Sequence, residues 1–183
     1  MIVFQKDNLA AVQTSLAETF GDKLLKVESK ELYLQLTVDG SEAKAILRHL
    51  KNTPTLAFSY FIDITAIDFL KYPERPPERY AVTYVLLSPS LGIKILVKAW
   101  VSDQDPRIAT VTDLWQGANW TEREAYDLFG IEFTGHPNLK RILMPDDYDG
   151  HPLRKDYPLR GRGERGNFPV YHGIPAEKAP PQD

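Results

Sequence analysis

Between Thr121 and Leu159 the chain gathers acids, bases and histidines more densely than in the apolar sequence before it. Glu122, Arg123, Glu124 and Asp127 come first. His136 and His151 each sit in a Gly-His-Pro triplet, with Asp146, Asp147 and Asp149 between them. Lys140, Arg141, Arg154, Lys155, Asp156 and Tyr157 complete the set, and Arg160, Arg162 and Arg165 follow it. Three chemistries could use such groups. A carboxylate beside a histidine could move protons. The two histidines with the aspartates could hold a metal. The Arg-Gly pattern after Leu159 resembles an RNA-binding tail.

Each has a specific objection. Nothing supplies a nucleophile or a phosphate cradle: there is no G-x-S-x-G, no P-loop and no G-x-G-x-x-G after a strand. Zinc histidines usually lie three to five residues apart, and Asp-Asp-Tyr-Asp-Gly is too short for an EF-hand loop. A histidine in a turn before proline more simply donates to a backbone carbonyl or a neighbouring acid. The basic tail is interleaved with acids in a chain of net charge −3. A docking arm that meets acidic grooves on a protein fits better than an RNA grip.

These groups need elements to hold them. Thr121 and Glu124 fit a capping box opening a helix, Ala125, Leu128 and Phe129 give it one apolar stripe, and Gly130 is a left-handed stop. Arg123 and Asp127 are expected to pair at i, i+4 in the weaker orientation, worth roughly 0.3 kcal/mol if exposed. So little gain from its own charges suggests that some of them make contacts elsewhere. Beyond Gly130, six glycines and prolines interrupt the chain, while Ile131, Phe133, Leu139, Ile142, Leu143 and Leu153 remain as apolar anchors.

Upstream, residues 8–20 read as a helix capped by Asn8, with Leu9, Val12, Leu16 and Phe20 on one face and Gly21 as its end. Residues 23–38 read as a hairpin around Ser29-Lys30. Asp39 and Glu42 predict a capping box for a second helix whose buried stripe is Ala43, Ile46, Leu47 and Leu50. Three strands follow. Residues 58–70 are apolar enough to be central, residues 80–87 are apolar on both faces, and residues 93–101 alternate with Lys94 and Lys98 outward. The last two form a hairpin through residues 88–92. The whole is an α+β, two-layer helix/sheet domain over 1–120, largely antiparallel, followed by an interface segment over 121–159 and an extended C-terminal arm over 160–183. Trp100, Trp115 and Trp120 flank the approach to the segment as core or interface anchors.

Composition narrows the classes. Hydrophobic residues make up 43% and charged residues 26%, which is ordinary for a globular protein long enough to bury a core. No cysteine is present, which removes disulfides, thiolate metal sites and a cysteine nucleophile from this chain. The first residues lack the layout of a signal peptide, and no apolar run spans a bilayer, so a soluble intracellular protein is expected.

Glu122-Arg123-Glu124, Asp127-Leu128-Phe129, His136 and Lys140-Arg141-Ile142-Leu143 resemble the signature of the 30 kDa (C-type) subunit family of respiratory complex I, the proton-pumping NADH:quinone oxidoreductase. The resemblance extends upstream through DPRIATVTDLWQGANW and downstream through GHPLRKDYPL, with a weaker match in DITAIDFL, residues 63–70. Ala109 stands where the family often has proline, and Tyr148 where it often has tryptophan.

The resemblance implies a two-layer domain with an extended segment that wraps a neighbour in the peripheral arm. It implies no cofactor in this chain, with FMN, iron–sulfur clusters and quinone in partner subunits. It also implies two neighbours: the large quinone-site subunit (D type) and the terminal iron–sulfur subunit (B type). The implied location is the cytoplasmic face of the bacterial inner membrane, reached through the complex. Related subunits serve ferredoxin-fed NDH-1 and membrane-bound hydrogenases. Glu122, Arg123, Glu124, Asp127, His136, Lys140, Arg141, His151, Arg154, Lys155, Asp156 and Tyr157 are the residues expected to bind partners.

Overall fold

The protein is described by a computed structural model over residues 6–30, 33–74, 76–159 and 161–162. Helix α1 (Lys6–Phe20) leads through a short 3-10 turn into β1 (Leu24–Ser29) and β2 (Tyr33–Asp39). Helix α2 (Gly40–Asn52) follows, then β3 (Tyr60–Asp68), β4 (Tyr80–Ser88) and β5 (Ile93–Val101). Two short strands, β6 (Arg107–Ala109) and β7 (Glu132–Thr134), bracket α3 (Ala118–Phe129). The main sheet runs β1-β2-β5-β4-β3, and β6 pairs with β7.

Three of the four pairings in the main sheet are antiparallel, as expected, while β2 and β5 are parallel. That parallel pair follows from the connection. The chain leaves β2 through α2, crosses to the far edge as β3, and meanders back through β4 until β5 meets β2. Strand β3 is therefore an edge, not the centre. A continuous apolar run signals two-sided burial only when something covers both faces. Here Ile64 and Ala66 face the core while Tyr60, Ile62 and Ile67 are exposed. The centre is β5, whose strict alternation buries Ile93, Ile95, Val97, Ala99 and Val101 and leaves Lys94 and Lys98 half-buried on the other face.

Register aligns the core into cross-strand rows. Leu36, Val97, Tyr84 and Ile64 form one, and Val38, Ala99, Val82 and Ala66 the next. Over these rows lie Val12 and Leu16 of α1, Ala43, Ile46, Leu47 and Leu50 of α2, and Ala118, Ala125 and Phe129 of α3. The expected α2 stripe is the one observed. Its cap is half of the expected box: Asp39 accepts from the Ser41 amide at 2.9 Å, but Glu42 turns to Lys23 instead. Asn8 does not cap α1, which already begins at Lys6; its side-chain amide donates to the Leu91 carbonyl. Gly40 starts α2 so close to β5 that a Cβ would stand 2.5 Å from the Trp100 carbonyl oxygen.

Candidate functional site

Helix α3 begins at Ala118, three residues before the expected cap. Thr121 lies inside the helix and its hydroxyl donates back to the Ala118 carbonyl, so the Thr121–Glu124 capping box does not form. The early start is set by packing, because Ala118 is fully buried. Gly130 does end the helix, in the left-handed conformation at φ 73°, with its amide on the Tyr126 carbonyl. A side chain there would also collide with His151 and Arg154. A boundary at residue 120 falls within α3, whose Ala118, Ala125 and Phe129 belong to the same core as the sheet.

The Arg123–Asp127 pair does not form either. Arg123 donates to the Lys140 and Arg141 carbonyls and lies over the Trp120 ring. The Asp127 carboxylate, wholly buried, accepts three successive amides, those of Ile142, Leu143 and Met144, at 2.9, 2.7 and 2.9 Å. Arg141 completes the arrangement, 2.7 Å from Asp127 Oδ1, and its other nitrogen holds the Tyr148 and Gly150 carbonyls. Burial pushes the Asp127 pKa up, but the three amides and Arg141 outweigh it and hold the group below the ordinary carboxylate value.

The segment also closes the end of α3. The last carbonyls of a helix lack intrahelical donors and carry its negative pole. Here His151 Nδ1 meets the Asp127 carbonyl at 2.8 Å, the Leu153 amide donates to Leu128 O, and Arg154 Nε donates to Phe129 O at 2.6 Å. Burial lowers the His151 pKa, so the ring is neutral near pH 7 and Nδ1–H can donate. His136 is used similarly: Nδ1 accepts the Asn138 amide, which leaves Nε2–H to donate to Asn119 O. Both histidines meet the carbonyl role expected of turn histidines. Among the described residues, no three histidine, aspartate or glutamate side chains converge as a metal site.

A third fixing point lies at the end of β3 and joins Lys155 and Asp156 to Asp68 and Arg79, neither of which was among the expected site residues. The buried Asp68 carboxylate accepts the Leu70 amide, two bonds from Arg79, and the Lys155 amide at 2.8 Å. Arg79 also pairs with Asp103 and with Asp156. Arg79 and Arg154 both approach the Tyr80 ring. Burial raises Asp68, while Arg79 and the two amides bring it below its usual value. The available signal was an acid ending an apolar strand, which in a core needs a buried partner. Nearby, the Tyr157 and Tyr148 hydroxyls lie 2.7 Å apart.

Most of the expected partner-binding groups are therefore used within the chain. Glu122 and Asp127 have no exposed surface. Arg123, Arg141, His151, Arg154 and Asp156 hold the segment on the domain, Lys155 does so through its amide, and Tyr157 meets Tyr148 within the segment. The side chains of Glu124, Lys140 and Lys155 remain exposed. So do large apolar groups on α3 and the segment: Trp120, Leu143, Leu153 and Leu159. Large exposed apolar groups are a common feature of interaction sites.

Comparison with known proteins agrees. A family model described as "Respiratory-chain NADH dehydrogenase, 30 Kd subunit" matches residues 36–163. The NADH-quinone oxidoreductase subunit 5 of Thermus thermophilus is 52% identical over 109 residues, 57% of this chain and 53% of that one. The C-type NADH-quinone oxidoreductase subunit of Rhodopseudomonas palustris is 46% identical over 128 residues, 70% of this chain and 60% of that one. Its counterpart in Citrifermentans bemidjiense is 42% identical over 156 residues, 85% of this chain and 92% of that one. The chain thus spans little more than half the length of the Thermus relative. Among solved structures, a trypsin-resistant fragment of Nqo5 superposes with TM-score 0.61 at 37% identity, covering 70% of this chain and 98% of the fragment. A chain of an archaeal membrane-bound sulfane sulfur reductase shares the fold, with TM-score 0.69 at 23% identity over 95% of this chain and 99% of that one.

Proposed function

This chain belongs to the family of the 30 kDa subunit of respiratory-chain NADH dehydrogenase, and on that premise we propose that it is an accessory, non-catalytic subunit of the peripheral arm of NADH:quinone oxidoreductase. It fastens neighbours and does no electron transfer itself. FMN, iron–sulfur clusters and quinone belong to partner subunits. The neighbours we assign are the large quinone-site subunit and the subunit of the terminal iron–sulfur cluster, on the cytoplasmic face of a bacterial membrane. We assign the chain's attachment to the membrane to the complex; among the described residues no helix is long and apolar enough to cross one.

One observation carries this reading. Arg123, Asp127, Arg141, His151, Arg154 and Asp156, with the Lys155 amide, fix an irregular segment onto the domain, and Trp120, Leu143, Leu153 and Leu159 remain exposed. Buried charge networks hold shape, while apolar anchors beside exposed Glu124, Lys140 and Lys155 supply contact area and register. A trypsin-resistant fragment of a relative matches 70% of this chain, which supports reading that part as a compact unit. The contact residues we propose are the outward ones, with Arg123, Arg141, His151, Arg154 and Asp156 shaping the surface from beneath. Affinity purification of the tagged chain from native membranes tests this. The quinone-site and iron–sulfur subunits should co-purify with it; recovery of the chain alone, with both subunits present in the same membranes, contradicts the proposal.

A further inference from the structure

Among the described residues Glu122 makes no bond to the irregular part of the segment; it ties α3 to the chain that follows β6. It is wholly buried, and among the described residues its bonded partners are one hydroxyl and one amide: Thr110 Oγ1 lies 2.5 Å from Oε2, and the Val111 amide donates to Oε1 at 2.7 Å. Thr110 Oγ1 in turn lies 3.0 Å from Thr112 Oγ1 and accepts the Thr112 amide. Thr112 is half-buried, so this row of hydroxyls leads from the buried carboxyl toward a residue that has solvent-exposed surface. The charged and titratable groups around Glu122 are few. Lys44 comes from α2, Asp113 from the following loop and Tyr84 from β4. Lys44 is committed to Asp113 at 3.0 Å, and Arg48 pairs with the same carboxylate. The Tyr84 hydroxyl is buried and has no hydrogen-bond partner among the described residues.

We propose that Glu122 is a buried, reversible proton-binding site that exchanges with solvent through the Thr110 and Thr112 hydroxyls. The row satisfies both forms. In the neutral acid, Oε2–H donates to Thr110, and the Thr110 hydroxyl donates to Thr112. In the anion, Thr110 donates to Oε2 and Thr112 donates to Thr110. A hydroxyl has one donor and two acceptor sites, so Thr110 is fully used either way. Ionisation releases one proton to water at the Thr112 end and reverses both hydroxyls without moving a heavy atom. Burial favours the neutral form and pushes the group up to about 7, against the Thr110 and Val111 bonds and the pull of Lys44.

The direction of the resulting pH dependence is fixed. A carboxyl raised in the folded state binds a proton that the unfolded chain has already lost. Its stabilising effect is complete below the ordinary 4.5 and disappears as pH rises toward about 7. Carbon-13 NMR of glutamate carboxyls in the full chain tests this, with Glu122→Gln identifying the resonance. The resonance should titrate near pH 7. The unfolding equilibrium constant of the native protein, relative to Glu122→Gln, should rise about tenfold per pH unit between roughly 5 and 7 and then level off. Thr110→Val removes a donor to the anion and should raise the midpoint, whereas Thr112→Val removes an acceptor needed by the neutral row and should lower it. Should Glu122→Gln fail to fold, the two threonine variants identify the resonance by their opposite displacements. A midpoint at or below 4.5, or one that neither threonine variant moves, overturns the proposal.

Discussion

Asp127 shows why a residue can be conspicuous in sequence while its partners are not. Helical spacing names Arg123 as a possible neighbour at i, i+4. It gives no sign that three successive amides and Arg141, 14 to 17 residues away, compete for the same oxygens. The buried arrangement wins because each bond forms out of water, whereas an exposed helical pair is worth only a few tenths of a kcal/mol. Asp127→Asn should therefore lower the free energy of unfolding by about 3 kcal/mol in urea titration, since it leaves Arg141 unpaired in a largely buried position. Asp127 and Asp68 are both held below the ordinary aspartate value of 3.8. Their contribution is whole above that pH and is lost as pH falls through their folded values, so Asp127→Asn should also flatten the acid limb of the stability profile. Asp68 was hidden for a similar reason: its partners Arg79 and Lys155 arrive from a proline-rich loop and from the far end of the chain.

At the level of elements, periodicity was a better guide than signature. The apolar stripes of α1 and α2, the alternation of β5 and the glycine stop of α3 are local consequences of residue order, and each was legible. The Thr121–Glu124 box has the right spelling but the wrong place, because burial of Ala118 starts the helix a turn earlier. Thr121→Ala should thus change stability by no more than about 0.5 kcal/mol, where loss of a true cap would cost about 1. Gly130→Ala should cost about 2 kcal/mol or more, because it forces a positive φ on alanine and displaces His151 and Arg154. Thermal unfolding of the two variants separates them. The edge position of β3 could not be read from its composition. Strand order depends on where β5 inserts, and the apolar outer residues of β3 look the same whether a sheet or a partner covers them.

For the whole molecule, the two-layer α+β architecture was legible because helices and strands alternate with clear stripes and a hairpin turn. The role of residues 121–159 was legible only in part. Their density of charge marks a segment with contacts to make, yet most of those contacts face inward. The segment is bonded to the domain at several points, and the apolar groups left exposed are the ones we propose a neighbour uses. On the proposed function, this outer surface governs assembly and not chemistry. The direct measurement compares native membranes carrying the wild-type chain with those carrying Trp120→Ala combined with Leu143→Asp, two exposed positions at which folding should be little affected. The amount of assembled NADH:quinone oxidoreductase should fall at least severalfold, with turnover per assembled complex unchanged. Normal assembly with altered turnover or quinone affinity would rule out that role for the surface.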